Sequence, residues 1–271
     1  MTQEATAEFD TTTAVEPLGG GAYRAVMDRG WWVARGPNGG YVAAVLLRAL
    51  AAEVTESERA PRSLTVHYAA PPAEGEVRIE VQTERRGRSL TTLSARMTQG
   101  DRLLALALAA FSAPWGNEHD FAGMAPPEAG EPGSGLAVPR DADLLPPVAE
   151  RWEFRGALGA PPFSGAEEAV TGGWLRLAQP RVADAFVVAA MTDAWFPASF
   201  TRLERPAALP TIDLTIHFRV PLPLPGAAPD DWALARFSSR WARDGFVEED
   251  GEIWSADGVL LAQSRQLALL I

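Results

Sequence analysis

The stretch RVADAFVVAAMTDAWFPASF, residues Arg181–Phe200, decides how the chain folds. Nearly every position is apolar, which predicts a helix that is buried on all sides, and Pro197 is expected to end or kink it. One carboxylate, Asp193, lies inside this apolar run. A buried ionised carboxylate is costly unless it is paired or hydrogen-bonded. The stretch therefore predicts that Asp193 has polar partners elsewhere in the chain.

A second apolar helix is predicted earlier in the chain, at Tyr41–Leu50. It follows the glycine-rich break at residues 36–40, where Asn38 is the expected N-cap. Each helix precedes apolar–polar alternation that is typical of an antiparallel meander. The first set of predicted strands is Leu64–Ala69, Glu76–Arg85, Leu90–Thr98 and Arg102–Phe111. The second set is Thr211–Arg219, Trp232–Trp241, Gly251–Ser255 and Val259–Leu270.

Two pairs of similar segments indicate that the chain contains an internal duplication. LTVHYAAP at Leu64–Pro71 is similar to LTIHFRVP at Leu214–Pro221, at an offset of 150 residues. DRLLALALAAF at Asp101–Phe111 is similar to DGVLLAQSRQLAL at Asp257–Leu269, at an offset of 157. Two matches in the same order with similar offsets favour two copies of one unit, although two strand-rich stretches can also resemble each other by chance.

A proline-rich acidic segment separates the two units. Its prolines are residues 114, 126, 127, 132, 139, 146 and 147. Such composition is typical of an extended linker with little regular structure. The sequence thus predicts an N-terminal domain at 1–113, a linker at 114–147 and a C-terminal domain at 148–271. The linker region and the first 20 residues carry nearly all of the net charge of −11, so the folded body is close to neutral.

Composition excludes several classes of function. The chain contains no cysteine, so disulfides, cysteine metal sites and a cysteine nucleophile are excluded. The acidic balance argues against general nucleic-acid binding but permits a local anion site. No apolar run approaches the roughly 18 residues of a membrane span, and the polar, acidic start does not have the pattern of a signal peptide. We therefore expect a soluble cytoplasmic protein with neither a membrane span nor a nucleic-acid partner.

Three segments resemble the TesB-type double-hotdog acyl-CoA thioesterases. NGGYVAAVLLRAL resembles the glycine-led first helix of that family, and MTDAWFP resembles the second-helix motif that holds its catalytic aspartate. TIDLTIHFRVP and DGVLLAQSRQ resemble the strands that carry a threonine and a glutamine. The resemblance implies an α+β tandem hotdog, with two long buried helices each wrapped by an antiparallel sheet. It also implies hydrolysis of acyl-CoA without a cofactor, and two hotdog units whose sheets pair edge to edge within one chain. Further pairing of chains into homodimers stays open.

Carried over residue by residue, the resemblance places the catalytic groups at Asp193, Thr211 and Gln266. Without metal or cysteine, water activation falls to a carboxylate with neutral hydrogen-bonding helpers, and burial would make Asp193 a better base. Structural alternatives stay open: Asp193 can be satisfied by backbone amides, Thr211 can be an ordinary strand residue, and Gln266 can be a hydrogen-bonded core amide. In the first unit Thr211 and Gln266 correspond to Pro61 and Ala109, and Asp193 falls opposite the Gly39–Gly40 region, so one hydrolytic centre per chain is expected.

The remaining predicted site residues would bind substrate. Gly39 and Gly40, at a helix N-terminus, can offer backbone N–H groups to the thioester oxygen, or they can serve only a turn and close packing. Arg86 and Arg88 can meet the CoA phosphates, or they can belong to a solvated loop.

His67 and His217 occupy matching strand positions and invite a catalytic or metal-binding interpretation. No spacing around them forms a metal site, so we expect a structural role. Two rival functions remain. One is a hotdog enoyl-CoA hydratase or dehydratase, whose chemistry uses an Asp–His pair that neither histidine provides at the usual place. The other is an acyl-CoA-binding or partner-binding hotdog protein without catalysis.

Overall fold

The computed structural model describes residues 7–116, 119–138 and 145–271, and these ranges contain one 14-stranded antiparallel sheet and three α-helices. The first half contains α1 (Glu8–Thr12), β1 (Glu16–Gly19), β2 (Ala22–Met27), α2 (Gly39–Ala52), β3 (Ala60–Tyr68), β4 (Gly75–Arg86), β5 (Leu90–Gln99) and β6 (Arg102–Ser112). The start of the predicted N-terminal domain (1–6) and linker residues 117–118 and 139–144 lie outside the described residues.

The second half repeats this order, preceded by one short strand inside the predicted linker. It contains β7 (Leu136–Ala137), β8 (Trp152–Gly159), β9 (Ala169–Leu177), α3 (Ala185–Met191), β10 (Thr211–Phe218), β11 (Ala233–Ser239), β12 (Ala242–Arg243), β13 (Phe246–Ser255) and β14 (Leu260–Leu269). Short 3-10 turns lie at Arg29–Trp31, Pro147–Arg151 and Ala198–Thr201.

The two halves join edge to edge through β3 and β10, which makes one sheet of the order β1-β2-β4-β5-β6-β3-β10-β14-β13-β11-β9-β8-β7, with β12 paired to β13 beside this path. At the centre of this seam Thr65 lies opposite Thr215, and their hydroxyl oxygens are 3.1 Å apart. These residues are 150 positions apart, so the seam brings equivalent positions of the two units face to face. The strand pairing thus follows the duplication predicted from the sequence.

Helix α2 forms where the sequence predicts the first buried helix. The Oδ1 atom of Asn38 accepts a hydrogen bond from the Tyr41 N–H at 3.0 Å, which caps the first turn. Ten of its 14 residues are buried, from Gly40 to Leu50. Burial on nearly all sides is possible because the sheet covers one side and α3 packs against another. At the crossing, the Gly40 backbone lies so close to the Ala190 carbonyl that a Cβ would sit 2.5 Å from its oxygen.

The second helix is much shorter than predicted, so the prediction of two long buried helices is wrong. Helix α3 spans only Ala185–Met191, whereas the apolar run extends from Arg181 to Phe200. Asp184 sets the start because its Oδ1 accepts from the N–H groups of Phe186 and Val187. At the end, the Thr192 hydroxyl donates to the Ala189 carbonyl at 2.7 Å, and Pro197 disfavours helical backbone at the residue before it. The chain therefore turns at Asp193 instead of continuing the helix.

The described part of the linker lies on the outer face of the second half. The Trp174 indole N–H donates to the Ala129 carbonyl at 3.2 Å, and Gly133 lies against the Trp232 ring. Among the described linker residues only the two of β7 form a strand, which agrees with a segment poor in regular structure. The sheet is continuous through the seam, so it does not mark where one domain ends and the next begins. The domain boundaries at residues 113 and 148 therefore stay a prediction. No helix in the described ranges is long and apolar enough to cross a membrane.

Candidate active site

Asp193 lies in the turn after α3, against the N-terminus of α2. Its Oδ2 atom accepts a hydrogen bond from Asn38 Nδ2 at 2.9 Å and another from the Gly40 N–H at 3.1 Å. Asn38 Nδ2 also donates to the Asp193 carbonyl oxygen at 2.6 Å. Asn38 therefore acts twice, because one end of its amide caps α2 and the other end holds the carboxylate. The partial positive charge of a helix N-terminus further favours an anion here.

Tyr68, at the end of β3, closes one side of this arrangement. Its hydroxyl donates to the Gly39 carbonyl at 2.8 Å, and its ring end lies near the Gly39 backbone. Burial, followed by the charges of Asp193 and Asp213, raises the pKa of Tyr68 well above its ordinary value. Tyr68 therefore stays a neutral phenol beside the carboxylate.

The environment of Asp193 raises its pKa from the ordinary value of 3.8 to about 6. Burial is the largest cause and destabilises the charged form. The amides of Gly40 and Gly39, the Gln266 side chain and Asn38 act in the opposite direction and limit the rise. Residue 193 as a whole is half-buried. Asp193 is thus a carboxylate whose proton affinity suits general base chemistry near neutral pH.

The raised pKa predicts that Asp193→Asn stabilises the fold in a pH-dependent way. In the unfolded chain Asp193 ionises near its ordinary value, whereas in the folded chain it holds its proton to about pH 6. The wild type therefore loses stability as pH rises through this window. We expect Asp193→Asn to raise the free energy of unfolding by about 3 kcal/mol at pH 8 and by roughly half as much at pH 5. Urea unfolding at both pH values measures this, and an equal effect at both would contradict the assignment.

Thr211 and Gln266 lie side by side on β10 and β14. The Thr211 hydroxyl donates to Gln266 Oε1 at 2.9 Å. Gln266 is only 6% exposed and is among the groups that lower the pKa of Asp193. A bulge in β10 between Thr211 and Asp213 shifts the register next to this pair. The structure therefore brings together the three residues that the sequence places in one centre.

A fourth polar residue, Glu249 on β13, was missed from the sequence. Gln266 Nε2 donates to Glu249 Oε1 at 2.7 Å, and the Ala198 N–H donates to Glu249 Oε2. Glu249 is 5% exposed, and burial raises its pKa to about 7, with the charges of Asp193 and Glu248 adding to the rise. The predicted strand begins at Gly251, because the preceding run of residues 248–250 is acidic throughout and shows no apolar–polar alternation.

Gly39 and Gly40 lie at the centre of the site, but Gly40 has a different partner from the predicted one. Its N–H is bound to Asp193 instead of standing open for a thioester oxygen. Arg86 and Arg88 are not brought to this cluster. The Arg86 guanidinium donates to the Glu53 carbonyl at 3.1 Å and to Thr55, beyond the C-terminal end of α2. With 14 residues in α2 and about 1.5 Å of rise per residue, Arg86 lies roughly 20 Å from Asp193.

His67 and His217 are both exposed on strands β3 and β10. Their neighbours Val66 and Ile216 point the opposite way, into the core. The histidines therefore lie on the face of the sheet away from α2 and Asp193. Within the described ranges, no group of three or more His, Cys, Asp or Glu side chains could hold a metal ion.

The fold and the site define the class of the protein. A duplicated sheet–helix unit, joined through its edge strands and with a buried carboxylate between the units, has the architecture of a double hotdog. Sequence comparison with family models agrees. Residues 28–112 match the acyl-CoA thioesterase N-terminal domain, and residues 124–270 match the acyl-CoA thioesterase C-terminal domain. The chain belongs to this acyl-CoA thioesterase family and is a thioester hydrolase.

Solved structures show the same fold over nearly the whole chain. A conserved protein of unknown function with a hotdog fold from Alicyclobacillus acidocaldarius is 26% identical, with a TM-score of 0.84 and coverage of 98% of this chain and 99% of that one. The acyl-CoA thioesterase II TesB2 from Mycobacterium marinum is 19% identical, with a TM-score of 0.75 and coverage of 97% and 98%. A comparison with curated proteins finds no match.

Proposed function

We propose that this chain hydrolyses acyl-CoA to the free acid and CoA by activating water with Asp193, assisted by Thr211 and Gln266. One observation carries the proposal: a buried carboxylate with a pKa of about 6 lies at a helix N-terminus beside a hydrogen-bonded Thr–Gln pair. In the first half, Ala109 stands opposite Leu64, as Gln266 stands opposite Leu214 in the second half. The polar set is therefore built once per chain.

The proposed reaction has two steps. Asp193 accepts a proton from water while the water oxygen bonds to the thioester carbonyl carbon, which gives a tetrahedral oxyanion. The C–S bond then breaks, and the proton held by Asp193 passes to the departing CoA thiolate. The products are the carboxylic acid and the CoA thiol, and Asp193 returns to its ionised form. No redox change or cofactor is required.

The neutral residues have separate roles in this scheme. The Thr211–Gln266 hydrogen bond fixes the position of the amide beside Asp193, so that the water is oriented as well as deprotonated. The thioester oxygen would approach the amides of Gly39 and Gly40 at the positive end of α2 and share them with Asp193. Arg86 and Arg88 stay candidates for the CoA phosphates, provided that the pantetheine arm runs along the length of α2.

A hydratase function is the second enzymatic candidate, and the placement of the histidines argues against it. Hotdog hydration requires an Asp–His pair, whereas His67 and His217 lie on the outer face of the sheet. A binding protein without catalysis is the third candidate. The convergence of Asp193 and the Thr211–Gln266 pair at a helix N-terminus favours catalysis over binding alone.

Release of CoA thiol by the purified protein tests these functions. Saturated acyl-CoAs of several chain lengths and a 2-enoyl-CoA serve as substrates, with thiol release and loss of enoyl absorbance measured in parallel. We expect thiol release, and no loss of enoyl absorbance beyond the loss caused by hydrolysis. Enoyl consumption without thiol would favour the hydratase, and acyl-CoA binding without either change would favour the binding protein. Sedimentation of the same sample tests whether chains pair into homodimers, as we propose.

A further inference from the structure

Glu249 occupies a position that is apolar in the first half of the protein. On β13 it lies directly opposite Gln266 of β14. The corresponding cross-strand pair on β5 and β6 is Leu93 opposite Ala109, and Leu93 is completely buried. The same place in the same sheet is therefore filled by leucine in one unit and by a carboxylate in the other. The fold does not require an acid here, so the presence of Glu249 needs another explanation.

The contacts of Glu249 constrain the Gln266 amide. Oε2 of Glu249 accepts from the Ala198 N–H, while Oε1 accepts from Gln266 Nε2 at 2.7 Å. A backbone N–H can only donate, so Oε2 remains an acceptor in every protonation state. When Glu249 is ionised, Oε1 is also only an acceptor, and the nitrogen end of the Gln266 amide must face it. The oxygen end then faces the Thr211 hydroxyl, as observed.

We propose that Glu249 is a positioning residue that sets the orientation of the Gln266 amide. Its ionised carboxylate accepts a hydrogen bond from one Nε2–H of Gln266. The second Nε2–H is then free to donate toward Asp193 and its water. This inference rests on the proposed function of Asp193, Thr211 and Gln266. Glu249 itself contacts neither the water nor the substrate in this scheme.

Protonation of Glu249 reverses the arrangement. A proton on Oε1 turns this atom into a donor, which can be satisfied only by the oxygen end of the Gln266 amide. The amide then turns over, and its nitrogen donates to the Thr211 hydroxyl. The ionised form, and with it the productive amide, therefore predominates above about pH 7.

The other charged and titratable groups around Glu249 do not replace this control. Asp193 approaches from the turn after α3, and its charge raises the pKa of Glu249. Glu248, the preceding strand residue, also raises it, but the Glu248 carboxylate is held by the N–H groups of Arg240 and Trp241 and by Arg265. Tyr68, on the Gly39 side of the site, stays neutral.

Comparison of wild type, Glu249→Gln and Glu249→Leu between pH 6 and pH 8 tests the proposal. In Glu249→Gln the single side-chain oxygen is needed by the Ala198 N–H, so the amide nitrogen faces Gln266 and holds it turned at every pH. We expect kcat to fall about tenfold at pH 8 and less than about threefold at pH 6, with KM little changed. Glu249→Leu, which restores the first-half residue, should lose activity at pH 8 without losing thermal stability.

Glu248→Gln is the matched control, because Glu248 is a neighbouring buried carboxylate on the same strand that does not contact Gln266. Its activity at pH 8 should match wild type, and its pH profile should only move to lower pH, because the Glu248 charge helps to raise the pKa of Glu249. If the ratio of wild type to Glu249→Gln stays constant from pH 6 to pH 8, the positioning role is excluded and only a packing role remains. Full activity of Glu249→Leu at pH 8 would exclude any role in the reaction.

A second readout separates this inference from the proposed function. The side-chain NH2 resonances of Gln266 are assigned by their absence in Gln266→Ala. In wild type their chemical shifts should change with pH, with a midpoint near pH 7. In Glu249→Gln this change should be absent, whether or not the protein hydrolyses the chosen acyl-CoA. An unchanged Gln266 transition in Glu249→Gln would overturn the positioning role. Absent hydrolysis with the expected transition would overturn only the function proposed for Asp193.

Discussion

Replacement of Asp193 by Asn is expected to lower kcat for acyl-CoA hydrolysis by about a thousandfold, with KM within about threefold of wild type. Asn has nearly the same shape and can still accept the Gly40 N–H, so binding should persist. It cannot take a proton from water. Thiol release at saturating acyl-CoA measures the change. In wild type kcat should fall as the pH drops below about 6, because Asp193 becomes protonated. The residual kcat of Asp193→Asn should not show this fall.

Asp213→Asn is the matched control for this variant. Asp213 lies on β10 close to the cluster, where its charge contributes to the raised pKa of Tyr68. It is two residues from Thr211, but it forms no part of the proposed centre. Its kcat should stay within about threefold of wild type. A similar loss in both variants would indicate a general electrostatic effect, and full activity of Asp193→Asn would remove Asp193 from the mechanism.

Gly40→Ala is expected to lower both stability and activity. A Cβ at residue 40 would sit 2.5 Å from the Ala190 carbonyl oxygen and 3.1 Å from Asp193 Cβ. Because the first obstacle is backbone, α2 and α3 must separate. The free energy of unfolding should fall by about 2–3 kcal/mol despite the higher helix propensity of alanine. Asp193 moves with the α3 turn, so kcat should fall by about a hundredfold.

Gly123→Ala controls for the glycine-to-alanine change, since a Cβ there meets nothing within 4 Å. Thermal melts and thiol release should match wild type for that variant. Gly39→Ala is an informative intermediate, because its Cβ would meet side-chain atoms of Asp193 and Tyr68 at 3.0 and 3.3 Å. It should disturb activity more than stability. Wild-type behaviour of Gly40→Ala would show that the helix contact does not position the base.

Alternation along the strands made most of the sheet predictable. Leu64 and Val66 point into the core while Thr65 and His67 point away, as two-residue periodicity requires. The matched segments of the two halves also indicated equivalent positions, and the seam confirms them by pairing Thr65 with Thr215. The alignment placed Asp193 opposite Gly39 and Gly40 in the duplicated units. In three dimensions Asp193 and Gly40 are directly hydrogen-bonded.

The length of the second helix was not predictable from apolar content alone. Composition does not show that Thr192 bonds back to Ala189 or that the chain turns before Pro197. The turn has a functional consequence, because it places the Asp193 carboxylate against the N-terminus of α2.

Glu249 was missed for a different physical reason. Sequence patterns treat charged residues as solvated, and the run at residues 248–250 consists of three acids. Glu248 and Glu249 are nevertheless both buried, on opposite faces of β13, each with its own donors. Such burial depends on partners that are distant in the chain, here Ala198 and Gln266. A single sequence does not show those partners. It does show that the equivalent residue of the first unit, Leu93, is apolar, whereas residue 249 is an acid.

The central claim is that water activated by Asp193 attacks the thioester carbonyl directly. A single turnover of acyl-CoA in water labelled with oxygen-18, with enzyme in excess over substrate, tests this claim most directly. The released acid and the peptide containing Asp193 are then analysed by mass spectrometry. Direct attack predicts one heavy oxygen in the acid and none in the peptide. Heavy oxygen in Asp193 would show that this carboxylate attacked the substrate itself, and would contradict the account.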